Sequence, residues 1–559
     1  MDRLNTESFF ERNLLSLSAR DGALCSRLSV ADTGLHRYRF LRARSGEIVP
    51  AITARDGNAY PLHSMVDPKR EAARLLDSVK DAGCLVFMGL GGGFFPAAAL
   101  ECEGVCSVFV IDYDINGIAE LLCSCEMSGI FKDPRFRLLI DVPPALIEKR
   151  ILASYQPVLQ EGIRVLPIRN RVAFDADKFT AAKAAIEGAV SCVSADYSVQ
   201  AYFGTRWFSN IIRNLFNAGD TPPLPSIRRA AVSAAGPSLD IQLPRLRAEQ
   251  RTAFIIAADT SLNSLVNAGI TAHAVVSIDC QHYSCQHFMN GIPEGTPLFL
   301  DLASPPLLAA MTGNRYFFAG GHPLAAYVSR FWRSFPPVDT SGGNVTYAAV
   351  CLAESLGAQE IELYGADFSY PLGLTYTRGA YLFPSFAQRQ KRLSPLETLH
   401  SDLLYRTPLT KRGGKDGGFY YETPAMRMYR ERLEDKAALL GAELIPIPGM
   451  GAAVNVRIKQ GQRRGNPAPV WGKPSVSTED FLAGYHAKIC ALPLPGNSIS
   501  AWLEKLKQDE SLVLATLLPE AAAVKRRSPQ LQTGPLIEAA AAYCRAEIEK
   551  VLNAVRVRV

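Results

Sequence analysis

Short apolar runs recur along the chain, each closed by a glycine turn or an acid and followed by a stretch of helical period. Cys84 to Met88 (CLVFM) predicts a buried strand that runs into Gly89-Leu90-Gly91-Gly92-Gly93, then a helix from Phe94 to Glu101. Ser107 to Ile111 predicts a second strand, ended by Asp112, and Ile115 to about Ser124 a helix. Strand, glycine turn, helix, strand is a βαβ unit with a parallel sheet. The rhythm resumes over residues 226–460. Strands are predicted at Ala230–Ala234, Ala253–Ala257, Ala274–Ile278, Pro297–Asp301 and Ile361–Tyr364, with helices at Ser261–Ala268 and Asn344–Leu356. Near-continuous apolar strands of this kind belong to sheets covered on both faces.

The segment His36–Ala51 is β-like around a Ser-Gly turn. From about Ser477 onward the pattern turns helical. AGDTPPLP and GNPAPVWGKPS break helices and read as boundaries. The expected fold class is α/β: two Rossmann-like, doubly wound parallel-sheet domains plus a C-terminal helical domain. The divisions are 1–75, a β-rich cap; 76–220, the first Rossmann-like domain; 221–465, the central domain; and 466–559, the helical domain.

The chain has 559 residues, 48% of them hydrophobic and 20% charged, so a sizeable core needs no staples. Sixty Lys and Arg against 54 Asp and Glu leave +6, too mild to imply nucleic acid. The basic clusters Arg228-Arg229, Arg463-Arg464 and Lys525-Arg526-Arg527 are short and read as solvated loop charges. Twelve cysteines follow no zinc or disulfide spacing, which suits a reducing compartment. MDRLNTESFFERNLLSL lacks the basic-then-apolar order of a signal peptide, and no apolar run is long enough for a membrane span. A cytoplasmic protein is expected.

Candidate chemistry gathers at strand ends. Ser233-Ala-Ala-Gly236-Pro237-Ser238-Leu239 leaves a strand and opens a helix: either a plain turn or an anion site of free amides and helix dipole. Asp259 (IIAADTSL) and Asp279 (VVSIDCQH) end neighbouring strands, where ligands of open sheets bind, and His282 and His287 follow Asp279. N-capping is the competing role for Asp259. Thr340-Ser341-Gly342-Gly343-Asn344 is a second cradle ahead of a helix, and Gly365-Ala366-Asp367-Phe368-Ser369-Tyr370, with Tyr376 and Tyr381 beyond, a further strand-end loop. In the first domain Gly89, Gly91 and Gly93 with Asp112 match a dinucleotide or S-adenosylmethionine pocket in outline. Asp112-Tyr113-Asp114 copies a metal-binding DxD, but its strand-end position accounts for it without a metal. His322 and His400 lie on the expected cleft side as candidate bases. There is no GxSxG elbow, HExxH or P-loop.

Taken in order, AAGPSLD (234–240), IIAADTSL (255–262), GITAHAVVSID (269–279) and DTSGGNVTYAAVCLAESLGAQEIELYGADFSY (339–370) resemble the motility accessory factor family. These are flagellin-modifying proteins whose central domain is similar to bacterial sialyltransferases. The resemblance covers roughly residues 200–455 and, more loosely, the glycine-rich first domain. It implies transfer of a nonulosonic (sialic-like) acid from a CMP donor to Ser or Thr of flagellin in the cytoplasm, in service of flagellum assembly and motility. By motif, Gly236, Pro237 and Ser238 would line the CMP site. Asp259 would lie near ribose or base and Asp279 near the sugar; Ser341, Gly342 and Gly343 would hold phosphate or carboxylate. Asp367 and Tyr370 would flank the leaving group. Asp279, His400 and Tyr370 are the implied catalytic set, His400 as base because the sialyltransferase-like histidine has no clear counterpart. The resemblance requires no metal, although Mg2+ is compatible with such a site, and it leaves self-association open. Two alternatives remain: a hydroxymethylpterin pyrophosphokinase using ATP, since an archaeal group shares the central domain, and a non-enzymatic flagellin-binding assembly factor.

Overall fold

The computed structural model describes residues 8–54, 57–221, 224, 226–414, 417–456, 470–496 and 498–556. The Arg463-Arg464 pair and the start of the linker near 465 lie outside the described residues. Two compact units emerge. One runs through Tyr202 and takes in Pro493–Ser511 and Leu518–Ala540; the other comprises Phe203–Leu492, Leu512–Leu517 and the chain from Ala541 on.

In the first unit the helices Phe9–Ser18 and Gly22–Ser29 precede a small antiparallel sheet of β1 (Tyr38–Arg42), β2 (Ile48–Thr53) and β3 (Ala59–Pro61). The cap is therefore mixed rather than β-rich. Four parallel strands follow, β4 (Ala82–Met88), β5 (Ser107–Asp112), β6 (Phe136–Ile140) and β7 (Gly162–Pro167), in the order β6-β5-β4-β7. Every residue of β4 is buried. Phe87 and Phe109 are among the largest fully buried side chains, each worth about 1.5–3 kcal/mol of apolar transfer.

The second unit is built on seven parallel strands: β8 (Arg229–Ser233), β9 (Phe254–Ala258), β10 (Ala274–Ser277), β11 (Leu298–Asp301), β12 (Arg315–Phe318), β13 (Glu360–Tyr364) and, after an insertion, β17 (Glu443–Pro446). Their order is β12-β11-β10-β9-β8-β13-β17. The buried helix Val345–Ser355 packs on one face through Ala348, Ala349, Leu352 and Ala353. The insertion holds β14 (Tyr370–Pro371), β15 (Thr410–Gly413) and β16 (Phe419–Glu422) as a small antiparallel sheet, with the helices Leu382–Arg389 and Leu396–Leu404. Both large sheets are parallel and doubly wound, and the C-terminal region is helical through Thr478–Cys490, Ile499–Lys505, Gln508–Arg527 and Thr533–Arg556. Among the described residues no helix is long and apolar enough to cross a membrane.

Candidate active site

From β8 the chain of the second unit proceeds strand by strand to β12, then returns to place β13 on the other side of β8. Connections diverge between β8 and β13, and the crevice outside their carboxyl ends is where open α/β sheets bind ligands. The two loops leaving these strands are tied together. Ala234 N–H donates to Tyr364 O and Gly236 N–H to Gly365 O, both at 2.8 Å. Ser238 N–H donates to Asp367 Oδ2 at 2.8 Å, and the Ser238 hydroxyl donates to Asp367 Oδ1. Gly451 N–H reaches Asp367 Oδ1 at 3.0 Å, and Met450 N–H donates to Ser238 Oγ at 2.7 Å. A Cβ on Gly236 would stand 2.3 Å from Asp367 Oδ2 and 2.5 Å from Gly365 O, so only glycine fits. Burial pushes the Asp367 carboxyl up, opposed by these hydrogen bonds. The helix Leu239–Glu249, which Pro237 and Ser238 lead into, thus opens beside an anion supplied by the chain itself.

Three carboxylates follow at the next strand ends, with different fates. Asp259 is 1% exposed: its Oδ1 accepts Thr260 N–H at 2.7 Å and the Thr260 hydroxyl at 3.0 Å, and its Oδ2 accepts the Ser277 hydroxyl at 2.7 Å. It ties β9 to β10 rather than facing a ligand. Asp279 is half-buried and, among the described residues, accepts only Gln281 N–H at 2.9 Å, on Oδ1, with no partner there for Oδ2. Asp301 is buried, and desolvation lifts its carboxyl to about 7 against one hydrogen bond from Ala303 N–H at 2.8 Å. The loops bearing the last two are clamped by Asn210, whose side-chain amide donates to Cys280 O at 3.0 Å and Ala303 O at 2.8 Å. After β12, His322 caps the helix Pro323–Phe331 by accepting Leu324 N–H at 3.1 Å on Nδ1. Burial pulls its pKa down to about 3, and Trp207 meets it edge-on at 5.2 Å.

The Ser341-Gly342-Gly343 loop is also filled from within. Ser341 donates its N–H (3.0 Å) and hydroxyl (2.6 Å) to Asp339 Oδ1; the Tyr347 hydroxyl and Lys436 Nζ each reach Oδ2 at 2.9 Å. Burial works to raise Asp339, but these donors outweigh it and hold the carboxyl well below the usual range. A Cβ on Gly342 would collide with the Tyr347 ring, and Asn344 caps the following helix.

The insertion brings its tyrosines to the ends of β9 and β10. Burial lifts the Tyr376 phenol to about 12, with Tyr370, Asp259 and Tyr283 close enough to add to the shift. Tyr381 hydrogen-bonds Tyr283, and its ring meets His287 edge-on at 4.6 Å. Among the described residues three buried polar atoms here have no partner: Ser264 Oγ, Gln286 Oε1 and His287 Nδ1. Unpartnered buried groups at a strand-end cleft mark a place for a polar ligand. His400 sits elsewhere in the insertion. Phe383 and Phe386 pack on its ring at 4.8 and 5.0 Å, its Nδ1 is bonded to the Thr375 hydroxyl at 3.1 Å, and burial lowers its pKa. His287, noted in the sequence only as a neighbour of Asp279, is the histidine that the structure places beside Tyr283 and Tyr381.

The glycine loop of the first unit fits its outline but not a cofactor. His63 Nε2 accepts Gly92 N–H at 3.0 Å and lies 2.3 Å from where a Cβ on Gly91 would stand. Asp112 Oδ2 accepts Leu90 N–H at 3.1 Å; its Oδ1 accepts Tyr113 N–H at 2.7 Å and the Arg171 guanidinium at 2.7 and 3.0 Å. Arg171 is 1% exposed and also pairs with Asp175 at 2.7 Å. The acid that would hold a ribose is thus neutralised in the core. Asp114 caps the helix Ile115–Ser124, so the DxD is structural.

Residues 208–373 match the family described as 6-hydroxymethylpterin diphosphokinase MptE-like. Among curated proteins, one uncharacterized protein of Treponema pallidum (strain Nichols) is 37% identical over 152 residues, 26% of this chain and 54% of its own length. A second from the same organism is 27% identical over 163 residues, 28% of this chain and 78% of its own length. The chain thus spans about half the length of the first of these relatives. Among solved structures, the MAf glycosyltransferase from Magnetospirillum magneticum AMB-1 superposes with a TM-score of 0.60 at 13% identity, over 98% of this chain and 96% of that one. The likeness is one of fold, and it runs nearly end to end: this chain has the MAf glycosyltransferase fold, with a segment similar to the MptE-like group set in its second unit.

Proposed function

We propose that the second unit is a glycosyltransferase that moves a nonulosonic acid from a CMP donor to Ser or Thr of flagellin in the cytoplasm, serving flagellum assembly. The observation that supports it most is the cluster at the carboxyl ends of β9 and β10. An open carboxylate (Asp279), an imidazole with an unpartnered nitrogen (His287) and the phenols of Tyr283, Tyr376 and Tyr381 gather there, within a fold shared with a glycosyltransferase.

In this reading the acceptor hydroxyl attacks the anomeric carbon, the bond to the CMP phosphate oxygen breaks, and a base takes the hydroxyl proton. In the same reading Asp279 or His287 serves as that base, and the phenols of Tyr370 and Tyr376 donate to the departing phosphate. Gly236, Pro237, Ser238 and Asp367 shape the crevice floor from beneath the donor, and Asp259 and the Ser341–Gly343 loop support its walls. The chemistry has no obligate need for a metal, since charge on the leaving group is met by hydrogen bonds.

The test is release of CMP from a CMP-activated nonulosonate in the presence of flagellin, comparing the wild type with Asp279→Asn. Flagellin-dependent release that falls about a hundredfold or more in the variant is expected of a lost acid–base group. The match of residues 208–373 keeps a second reading alive, diphosphate transfer from ATP to a hydroxymethylpterin. Such an enzyme would need acids for magnesium, for which Asp259, Asp279 and Asp367 could serve, and Asp259 and Asp367 are engaged in internal hydrogen bonds, which weighs against it. Turnover of ATP in place of the CMP donor would favour it. Tight flagellin binding with neither activity would leave the assembly-factor reading.

A further inference from the structure

The loops that the sequence marks for phosphate have spent donors on the chain's own carboxylates, Asp367 and Asp339. A phosphate arriving at the β8/β13 crevice needs side-chain donors in their place, and among the described residues Arg378 stands at these strand ends. The tripeptide Thr377-Arg378-Gly379 crosses the strand ends between the turn after β8 and the helix Leu262–Asn267 that follows β9. Thr377 is wholly buried; its N–H donates to Ala235 O at 3.0 Å and its hydroxyl to Asp240 Oδ1. On the other side, a Cβ on Gly379 would lie 2.5 Å from Ser264 Oγ and 2.6 Å from Ser264 Cα. The Arg378 N–H is itself bound by the Asp240 carboxylate, at 3.3 Å to each oxygen.

The backbone is thus fixed on both flanks while the side chain of Arg378 is 91% exposed. It forms a long ion pair with Asp240, Nε to Oδ2 at 3.9 Å, and that carboxylate already accepts from Thr377 and from the Arg378 main chain. The guanidinium thus has one long, exposed ion pair with Asp240 and makes no hydrogen bond among the described residues, so its fork is free to meet a phosphate. Beneath the same tripeptide, on the Gly379 side, Ser264 Oγ is buried and has no hydrogen-bond partner among the described residues. We propose that Arg378 receives the phosphate of a nucleotide ligand at this crevice. The identity of that ligand rests on the transferase reading above.

The experiment is calorimetric titration of the full chain with CMP and with cytidine, for the wild type, Arg378→Ala, Arg378→Lys and Arg392→Ala. Arg392 is an exposed cation of the same insertion, so its removal changes net charge equally. The expected result is CMP binding weakened about ten- to a hundredfold by Arg378→Ala, as for one charge-assisted bond, and partly restored by lysine. Cytidine binding stays as in the wild type, and Arg392→Ala matches the wild type on both ligands. A wild type that prefers CMP to cytidine while Arg378→Ala keeps the same CMP affinity overturns the proposal and leaves the transferase reading standing. Equal weakening by Arg378→Ala and Arg392→Ala also overturns it, since a diffuse field would then suffice. A wild type with no preference for CMP over cytidine overturns both.

Discussion

Asp367 accepts the main-chain N–H and the hydroxyl of Ser238, a residue 129 positions earlier in the chain. This contact closes the switch point of the second sheet and fixes the relative height of the loops leaving β8 and β13. It also makes the two residues, expected from motif to touch the donor, into supports for whatever does.

Removing that support should be costly. Asp367→Ala leaves the buried Ser238 amide and the half-buried Gly451 amide without their acceptor, and the loss in urea-unfolding free energy is expected at about 2–4 kcal/mol. Gly236→Ala forces a methyl against the same carboxylate and should cost at least about 1–3 kcal/mol. A Gly236→Ala protein as stable as the wild type would show that the two loops can part.

Asp301 and His322 should impose opposite pH slopes on stability. Asp301 is raised to about 7, so its contribution is complete below the unfolded value near 4 and is lost as pH rises towards 7. His322 is lowered to about 3, so its contribution is complete above the unfolded value near 6.5 and is lost as pH falls towards 3. In the wild type the slopes offset each other between about pH 4 and 6.5. Asp301→Asn should therefore show urea midpoints that rise with pH over that window, and His322→Asn midpoints that fall. Parallel profiles for the two variants would contradict the assignment.

His287 and His400 can be separated by kinetics. If the base stands among the tyrosines at the end of β10, His287→Gln lowers kcat in the CMP-release assay by about 100-fold or more. His400→Gln, inside the Phe383–Phe386 packing, should lower thermal stability and leave kcat within a few-fold. The reverse order would restore His400 as the base.

Arg171→Met strands Asp112 in the core of the first unit. Breaking a buried pair from one side costs about 3–5 kcal/mol, so the urea transition of the first unit should move to lower denaturant. An unchanged transition would mean that Asp112 finds another partner or takes up a proton at no cost.

The central strands were legible because a parallel sheet buried on both faces writes itself as apolar runs: β4, β5, β8, β9, β10, β11 and β13 all lie within a residue or two of their expected places. The missed strands β6, β7, β12 and β17 are short or lie at sheet edges, and Arg137 and Arg164 break the apolar pattern of β6 and β7. The helix Ala176–Asn214 carries an apolar helical period most clearly near its end, in TRWFSNIIRNLF. The strand-end position of Asp279 was legible from the apolar run before it. What occupies each glycine loop was not, since the residues that fill them, His63, Asp339 and Asp367, are brought in by tertiary packing. The fixed backbone at Arg378 depends likewise on Ala235, Asp240 and Ser264, which no local pattern links to it.

Glycines ahead of a helix record a demand for close approach, whoever makes the approach. Here His63 comes to Gly91, Asp367 to Gly236 and the ring of Tyr347 to Gly342, each a guest from the same molecule. A chain that satisfies its own anion-seeking turns has those turns preformed before any ligand arrives. Its ligands then compete for the surface that remains rather than completing an unfinished fold. Selectivity in such a protein is decided by side chains at the rim, where single substitutions can retune it without disturbing the scaffold underneath.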